Sequence, residues 1–246
     1  MPDTHQKKTR GELAKRQLLE AACEIFGKNG PDSATTRQIA QAAKQNIAAI
    51  AYYFGSKEGL YLAVAYYFGS KEGLYLAVAQ YIADLIRIDF EPTVAQLDDF
   101  LEKPNPTEHL PLLQKLIIDS FLQYARLVLD KSNVHISRIM AREQLVPTEA
   151  YSLIHQQALS PLLTRVNRLL ALYIGLDPTL PKTMLHTHAI LGEVLSFRLV
   201  RETILRQTGW DRIGKQEYEI ISNTLKVHIT LLLDGLREIY THNNHA

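Results

Sequence analysis

Between residues 34 and 57 the sequence gathers side chains able to grip a nucleic-acid duplex. Gln45 and Asn46 carry amides that pair bidentately with an adenine edge, and Ala48 and Ala49 are small enough to meet a thymine methyl. Tyr52 offers a phenol to a backbone phosphate, and Arg37 shares the same exposed side. Thr35 and Thr36 stand at a helix start, where free amides can face a phosphate oxygen.

The elements that must position these groups are legible in the punctuation. Thr35 with Gln38 is a capping box that opens a short helix over Thr36 to Ala43. Asn46 caps a second helix beginning at Ile47, after a three-residue connection. Ile39, Ala40, Ala43, Ile50 and Tyr53 fall on the inward positions, and small Ala40 lets the two helices approach. Helices joined so tightly cross steeply, which is the helix-turn-helix arrangement. Upstream, Thr9 with Glu12 predicts a helix over about 10–26 with Ala14, Leu18, Ala21 and Ile25 on one stripe. Gly27 and Gly30 are expected to end it.

Next comes a tandem duplication: AYYFGSKEGLYLAV occupies residues 51–64 and again 65–78 without a difference. Two units are too few for a repeat architecture. Fourteen helical residues advance about 21 Å and turn about 40° short of four full turns, so one long helix from Ser56 to Ile88 keeps nearly the same face. That is the expected form. The alternative loops out about 14 residues and leaves several apolar side chains wet. A continuous helix would set the duplex-gripping residues before it up to about 21 Å farther from the helices after it, altering or impairing their grip on DNA.

The remainder is helical by its stripes, with no β alternation. Prolines 92, 104, 106 and 111 suggest an irregular connection holding one short helix over Val94 to Leu101. Helices are expected from Leu113 to Val128, at 134–142, at 148–174 with a kink or break at Pro161, at 179–207 and at 216–240.

The stretch ATTRQIAQAAKQNIAAIAYYFGSKEGLY, residues 34–61, resembles the DNA-binding domain of the TetR family of bacterial transcriptional regulators. SRIMAREQLVPTEAY, ILGEVLSFRLVRETILRQTGW and the Ser160-Pro161 break resemble the TetR-type subgroup associated with cefoperazone and chloramphenicol sensitivity. The resemblance implies an all-α chain with a three-helix DNA-binding domain at 9–57 and a connecting helix at 58–88 that carries the duplication. A helical-bundle domain at 89–246 would bind ligand and dimerise through the last two long helices. It also implies a double-stranded DNA operator, a small-molecule effector, a homodimer, and in most cases repression released by ligand. Lys57 corresponds to the family's phosphate-contacting lysine. Lys44 stands where the family usually has glycine, so it must accept a positive φ. Ala51 replaces the usual phosphate-binding tyrosine.

Polar residues on the apolar helices of the body are candidates for an effector pocket: Gln123, Tyr124, Arg138, Arg142, His155 and His186. The plainer reading makes them surface or interface groups. His186 and His188, two apart on a helix, point about 200° from each other, so no metal is expected. No cofactor is expected either. A G-x-S-x-G elbow, a phosphate-cradling glycine loop, H-E-x-x-H and paired cysteines are all absent, which argues against an enzyme. A helical interaction module that does not read DNA is the rival class. Specific duplex affinity that falls steeply with salt separates the two.

Composition agrees with a globular regulator. The 246 residues hold 27 Lys+Arg, 26 Asp+Glu and 46% hydrophobic residues, enough for a sizeable core. Residues 1–57 carry nine Lys/Arg against five Asp/Glu, a basic module on a near-neutral body. The longest apolar run, Leu60 to Phe68, is too short to span a bilayer. The N-terminus lacks a signal-peptide core, and a lone Cys23 allows no internal disulfide, so a cytoplasmic protein is expected.

Overall fold

The computed structural model describes residues 4–54, 71–130 and 133–242. Every regular element among them is helical: α1 (Thr4–Ser33), α2 (Thr36–Ala42), α3 (Ile47–Phe54), α4 (Lys71–Leu101), α5 (Leu110–Leu129), α6 (Val134–Leu145), α7 (Glu149–Ile154), α8 (Ser160–Ile174), α9 (Pro181–Leu199), α10 (Arg201–Thr208) and α11 (Lys215–His242). They pack as two units, one of residues 1–88 with 134–159 and one of 89–133 with 160–246.

In the first unit α1 starts earlier than the Thr9 cap suggests, because neither proline nor glycine interrupts residues 4–10. It also passes straight through Gly27. Gly30 breaks it instead, at φ 81° and ψ 163°, and one more turn follows through Pro31. Gly27 has a packing role: a Cβ there would come within 2.9 Å of the His135 backbone, so the missing side chain lets α6 lie against α1. Leu18, Ala22, Phe26, Ile39, Leu74, Val78, Ile82, Ile139 and Ile154 form the core of this unit.

Residues 134–159 thus pack with the amino-terminal helices, whereas the sequence reading puts them in the carboxyl-terminal body. Polar groups reinforce the packing. Glu143, 1% exposed, accepts hydrogen bonds from the Tyr75 hydroxyl at 2.8 Å and from the Thr148 amide and hydroxyl at 2.9 Å each. The Arg142 guanidinium donates to the Phe26 carbonyl at 3.0 Å. A buried carboxylate with three donors is satisfied, and it ties α4, α6 and α7 together.

Helix α4 opens within the second copy of the repeat, at Lys71. The long helix expected from Ser56 falls partly on residues 55–70, outside the described residues. At its other end α4 continues through Pro92 to Leu101, so the irregular connection expected at that proline is absent. Pro92 removes one donor and crowds the carbonyl four residues back. Both Pro92 and Ile88 are exposed, so the interruption falls on the outer side of the helix, while Phe90, Leu97 and Phe100 anchor it on its buried side.

In the second unit α5, α8, α9 and α11 surround a core that includes Leu97, Phe100, Leu113, Ile117, Phe121, Leu169, Leu170, Ile190, Val194, Leu225, Ile229 and Leu233. The break expected at Pro161 is a wide π turn over His155–Leu159. Helix α8 restarts at Ser160, with the proline in its first turn, where no amide bond is lost. The helix expected over 179–207 is two, α9 and α10, separated at Val200. Asp98 and Arg165 form a two-pronged ion pair at 2.6 and 2.9 Å that ties α4 to α8.

Candidate nucleic-acid interface

The α2–α3 corner is built almost wholly from local hydrogen bonds. Thr35 and Gln38 close the capping box: the Thr35 hydroxyl accepts from the Gln38 amide at 3.2 Å, and the Gln38 side chain accepts from the Thr35 amide at 3.0 Å. At the far end the Gln45 amide reaches the Ala40 carbonyl at 2.9 Å and the Lys44 amide reaches the Gln41 carbonyl at 3.1 Å. That pair of bonds is a Schellman turn, and Lys44 holds its left-handed position at φ 54°. The positive φ expected of Lys44 is present. Asn46 then caps α3, its Oδ1 accepting from the Ala48 amide at 2.9 Å.

Behind the corner Ile39, Ala40, Ala43 and Ile50 are buried, while Tyr53 is only half-buried beside Gly11 of α1. In front, Thr35, Arg37, Asn46, Ala48 and Tyr52 are exposed and Thr36 is half-exposed. Ala49 and Gln45 differ from the sequence reading, which exposed both. Ala49 is half-buried, and Gln45 is half-buried with its amide donating to the Gln17 side chain at 3.1 Å. The two amides expected to read bases are therefore partly spent inside the protein: Gln45 steadies the corner against α1, and Asn46 holds the start of α3.

What remains exposed on α3 is apolar. Ile47 is 52% exposed and Tyr52 72%, with Ala48 and Ala51 alongside. Tyr52 is held by an edge contact to Tyr53 at 4.9 Å. Arg37 and Lys44 flank this strip, and neither has an ion pair among the described residues. The sequence reading missed Ile47 and Gln41, both exposed here; the i, i+3 spacing from Ile47 to inward Ile50 argues for burial, so periodicity gave no signal for Ile47. Lys57 lies outside the described residues. Lys71, its twin in the second copy, donates to the Asp32 carbonyl at 2.9 Å, two residues before Ala34 and the α2 cap.

The six pocket candidates do not converge. Gln123 alone lines the cleft of about 660 Å³ in the second unit, with Asp89, Asp119, Arg126, Asp130, Asn133 and Tyr218. Its amide donates to the Asp89 carbonyl at 2.7 Å. Tyr124 packs against the neighbouring core, and burial raises its phenol. Arg138 is exposed on α6, and Arg142 is bonded to Phe26. His155 lies beside the Tyr151 ring, and His186 Nε2 meets the Tyr240 hydroxyl at 3.0 Å. His188 is exposed apart from it. Among the described residues no group of three His, Cys, Asp or Glu converges as a metal site, and no helix is long and apolar enough to cross a membrane.

An all-helical chain with this capped corner has the build of a helix-turn-helix regulator, and comparison with known proteins gives the family. Residues 18–64 match the profile of bacterial regulatory proteins of the tetR family, and residues 113–236 match the C-terminal domain of the HTH-type transcriptional dual regulator CecR. The chain belongs to the TetR family of transcriptional regulators. It is 42% identical over 229 residues, 93% of this chain and 95% of the other, to the HTH-type transcriptional dual regulator CecR of Shigella flexneri. Over 46 residues, 19% of this chain and 22% of the other, it is 44% identical to the HTH-type transcriptional repressor NicS of Pseudomonas putida. A crystal structure of a Mesorhizobium loti protein assigned to the same family covers 91% of this chain and 98% of its own, with a TM-score of 0.51 and 16% identity, which speaks to the fold alone.

Proposed function

We propose that this regulator grips double-stranded DNA as a homodimer, each protomer setting α3 into a major groove, and that a small molecule bound in the second unit releases it. The observation that carries the reading is the α3 face: Ile47, Ala48, Ala51 and Tyr52 stand exposed on a corner whose own polar groups are satisfied locally. Such a strip suits thymine methyls, and Arg37, Lys44 and the α2 amides suit the flanking phosphates. Repression is the sign most common in the resemblance. The dual role in the relative's name makes activation at other sites the second reading.

Dimerisation has its own support. Ile220, Val227 and Leu231 form an exposed stripe on α11, and Leu185 with Ala189 and Gly192 forms one on α9, small enough for close approach. The cleft beside Gln123, with its three aspartates, is the proposed effector site.

The test is selection of bound duplexes from a random pool, followed by a salt titration of the selected site. A palindrome is expected, with log affinity falling linearly with log salt by about 0.9 per phosphate neutralised. Tyr52→Ala should weaken binding at least tenfold. No selected sequence, or salt-independent binding, would favour the helical interaction module instead.

A further inference from the structure

We infer that the second copy of the fourteen-residue repeat is the one that docks the connector onto α1 and α6, so the duplication adds no length to α4 between that dock and Leu97. The choice of copy stands on packing alone, and its consequence for operator spacing rests on the function proposed above.

The docked residues all come from 71–78. Lys71 Nζ reaches the Asp32 carbonyl at 2.9 Å. The Tyr75 ring meets Phe26 edge-on at 4.9 Å, and its hydroxyl donates to buried Glu143 at 2.8 Å. Leu74 and Val78 are 1% and 0% exposed. The first copy offers the same types at Lys57, Leu60, Tyr61 and Val64. The place beside Phe26 and Glu143 holds one tyrosine, so the copies compete for it.

Residues beyond the repeat decide the competition. With the second copy docked, Ile82, Ala83 and Ile86 follow into places 0%, 1% and 7% exposed, and the Gln80 amide donates to the Gln157 side chain at 2.7 Å. Docking the first copy would shift the register by fourteen. Phe68 would then replace Ile82, Gly69 would replace Ala83, Glu72 would replace Ile86 and Tyr66 would replace Gln80. That places a larger ring in a filled core, a helix-weakening glycine in its interior and a carboxylate in a buried place. It would also lengthen the helix between dock and Leu97 by about 21 Å. The expected long connector, with its displaced reader, is the disfavoured register.

Two readouts test this in the full chain. In thermal denaturation Tyr75→Phe should lower Tm by about 2–4 °C and couple to Glu143→Gln in a double-mutant cycle, while Tyr61→Phe should leave Tm unchanged. A matching loss and coupling for Tyr61→Phe would overturn the inference. The two single tyrosine variants decide it even if Glu143→Gln does not fold. Because the copies are identical, removing either gives the same chain. That chain should select duplexes with the same half-site spacing as the parent, and a changed spacing overturns the inference. If neither chain selects a duplex, the DNA-reading function falls, while the tyrosine comparison still decides which copy is docked.

Discussion

At the scale of single residues, the interface owes its shape to side chains that hold backbone in place. Lys44 carries a left-handed backbone that glycine adopts without steric cost, so Lys44→Gly should raise stability by about 0.5–1 kcal/mol in denaturant unfolding. It should also reduce DNA affinity modestly if the lysine contacts phosphate. Two histidines give the fold a pH dependence whose sign follows from burial. His135 and His186 are both pushed below the ordinary imidazole range mainly by burial, with neighbouring cations Lys28, Arg138 and Lys182 adding to it and Glu24 opposing at His135. The unfolded chain therefore takes up these protons first as pH falls. Stability present above about pH 6.5 declines as pH drops through the window just below it. Tm measured from pH 7.5 to 5.5 should fall less in a His135→Asn/His186→Asn double variant than in the parent. The sequence marked Gln45 and Asn46 as base-reading groups. The cap at Asn46 was legible beside that role, but the sequence did not show that Gln45 would be drawn onto Gln17, a contact 28 residues away that looks in type like a free amide.

At the scale of elements, glycine and proline were the places where local rules and tertiary packing diverged. Gly27 reads as a helix stop, yet it is the crossing point of α1 and α6. Gly27→Ala should push the two helices apart and cost about 1–3 kcal/mol of unfolding free energy, measured by denaturant titration, with DNA affinity falling as the reader loosens. Pro92 reads as a break and is carried inside α4, because buried Phe90 and Leu97 hold the helix on both sides of it. Pro161 keeps its local meaning, since the chain widens into a π turn just before it and α8 takes the proline into its first turn, where the missing amide is tolerated. The capping signals at Thr35 and Asn46 held because a cap is settled within three or four residues of itself.

At the scale of the whole molecule, the exposed stripe on α11 is the feature a monomer explains least. For the proposed dimer, Leu231→Glu should leave the far-ultraviolet spectrum unchanged, shift sedimentation toward the monomer and weaken duplex binding more than tenfold, because that proposal has the two protomers grip two half-sites together. The two packing units cut across the chain order, with 134–159 returning to the amino-terminal helices. Sequence order alone argued for one contiguous body after residue 88.

By itself the sequence determined that the chain is helical, that a capped corner stands near its start and that the family is TetR-like. Each of these is written in periodicity, caps or motif and needs no distant partner. Tertiary structure decided which glycine is a stop and which a contact, where Glu143 finds its three donors, and which of two identical copies meets Phe26. Those outcomes depend on residues far apart in the chain competing for one space, and identical sequences cannot carry the difference between them.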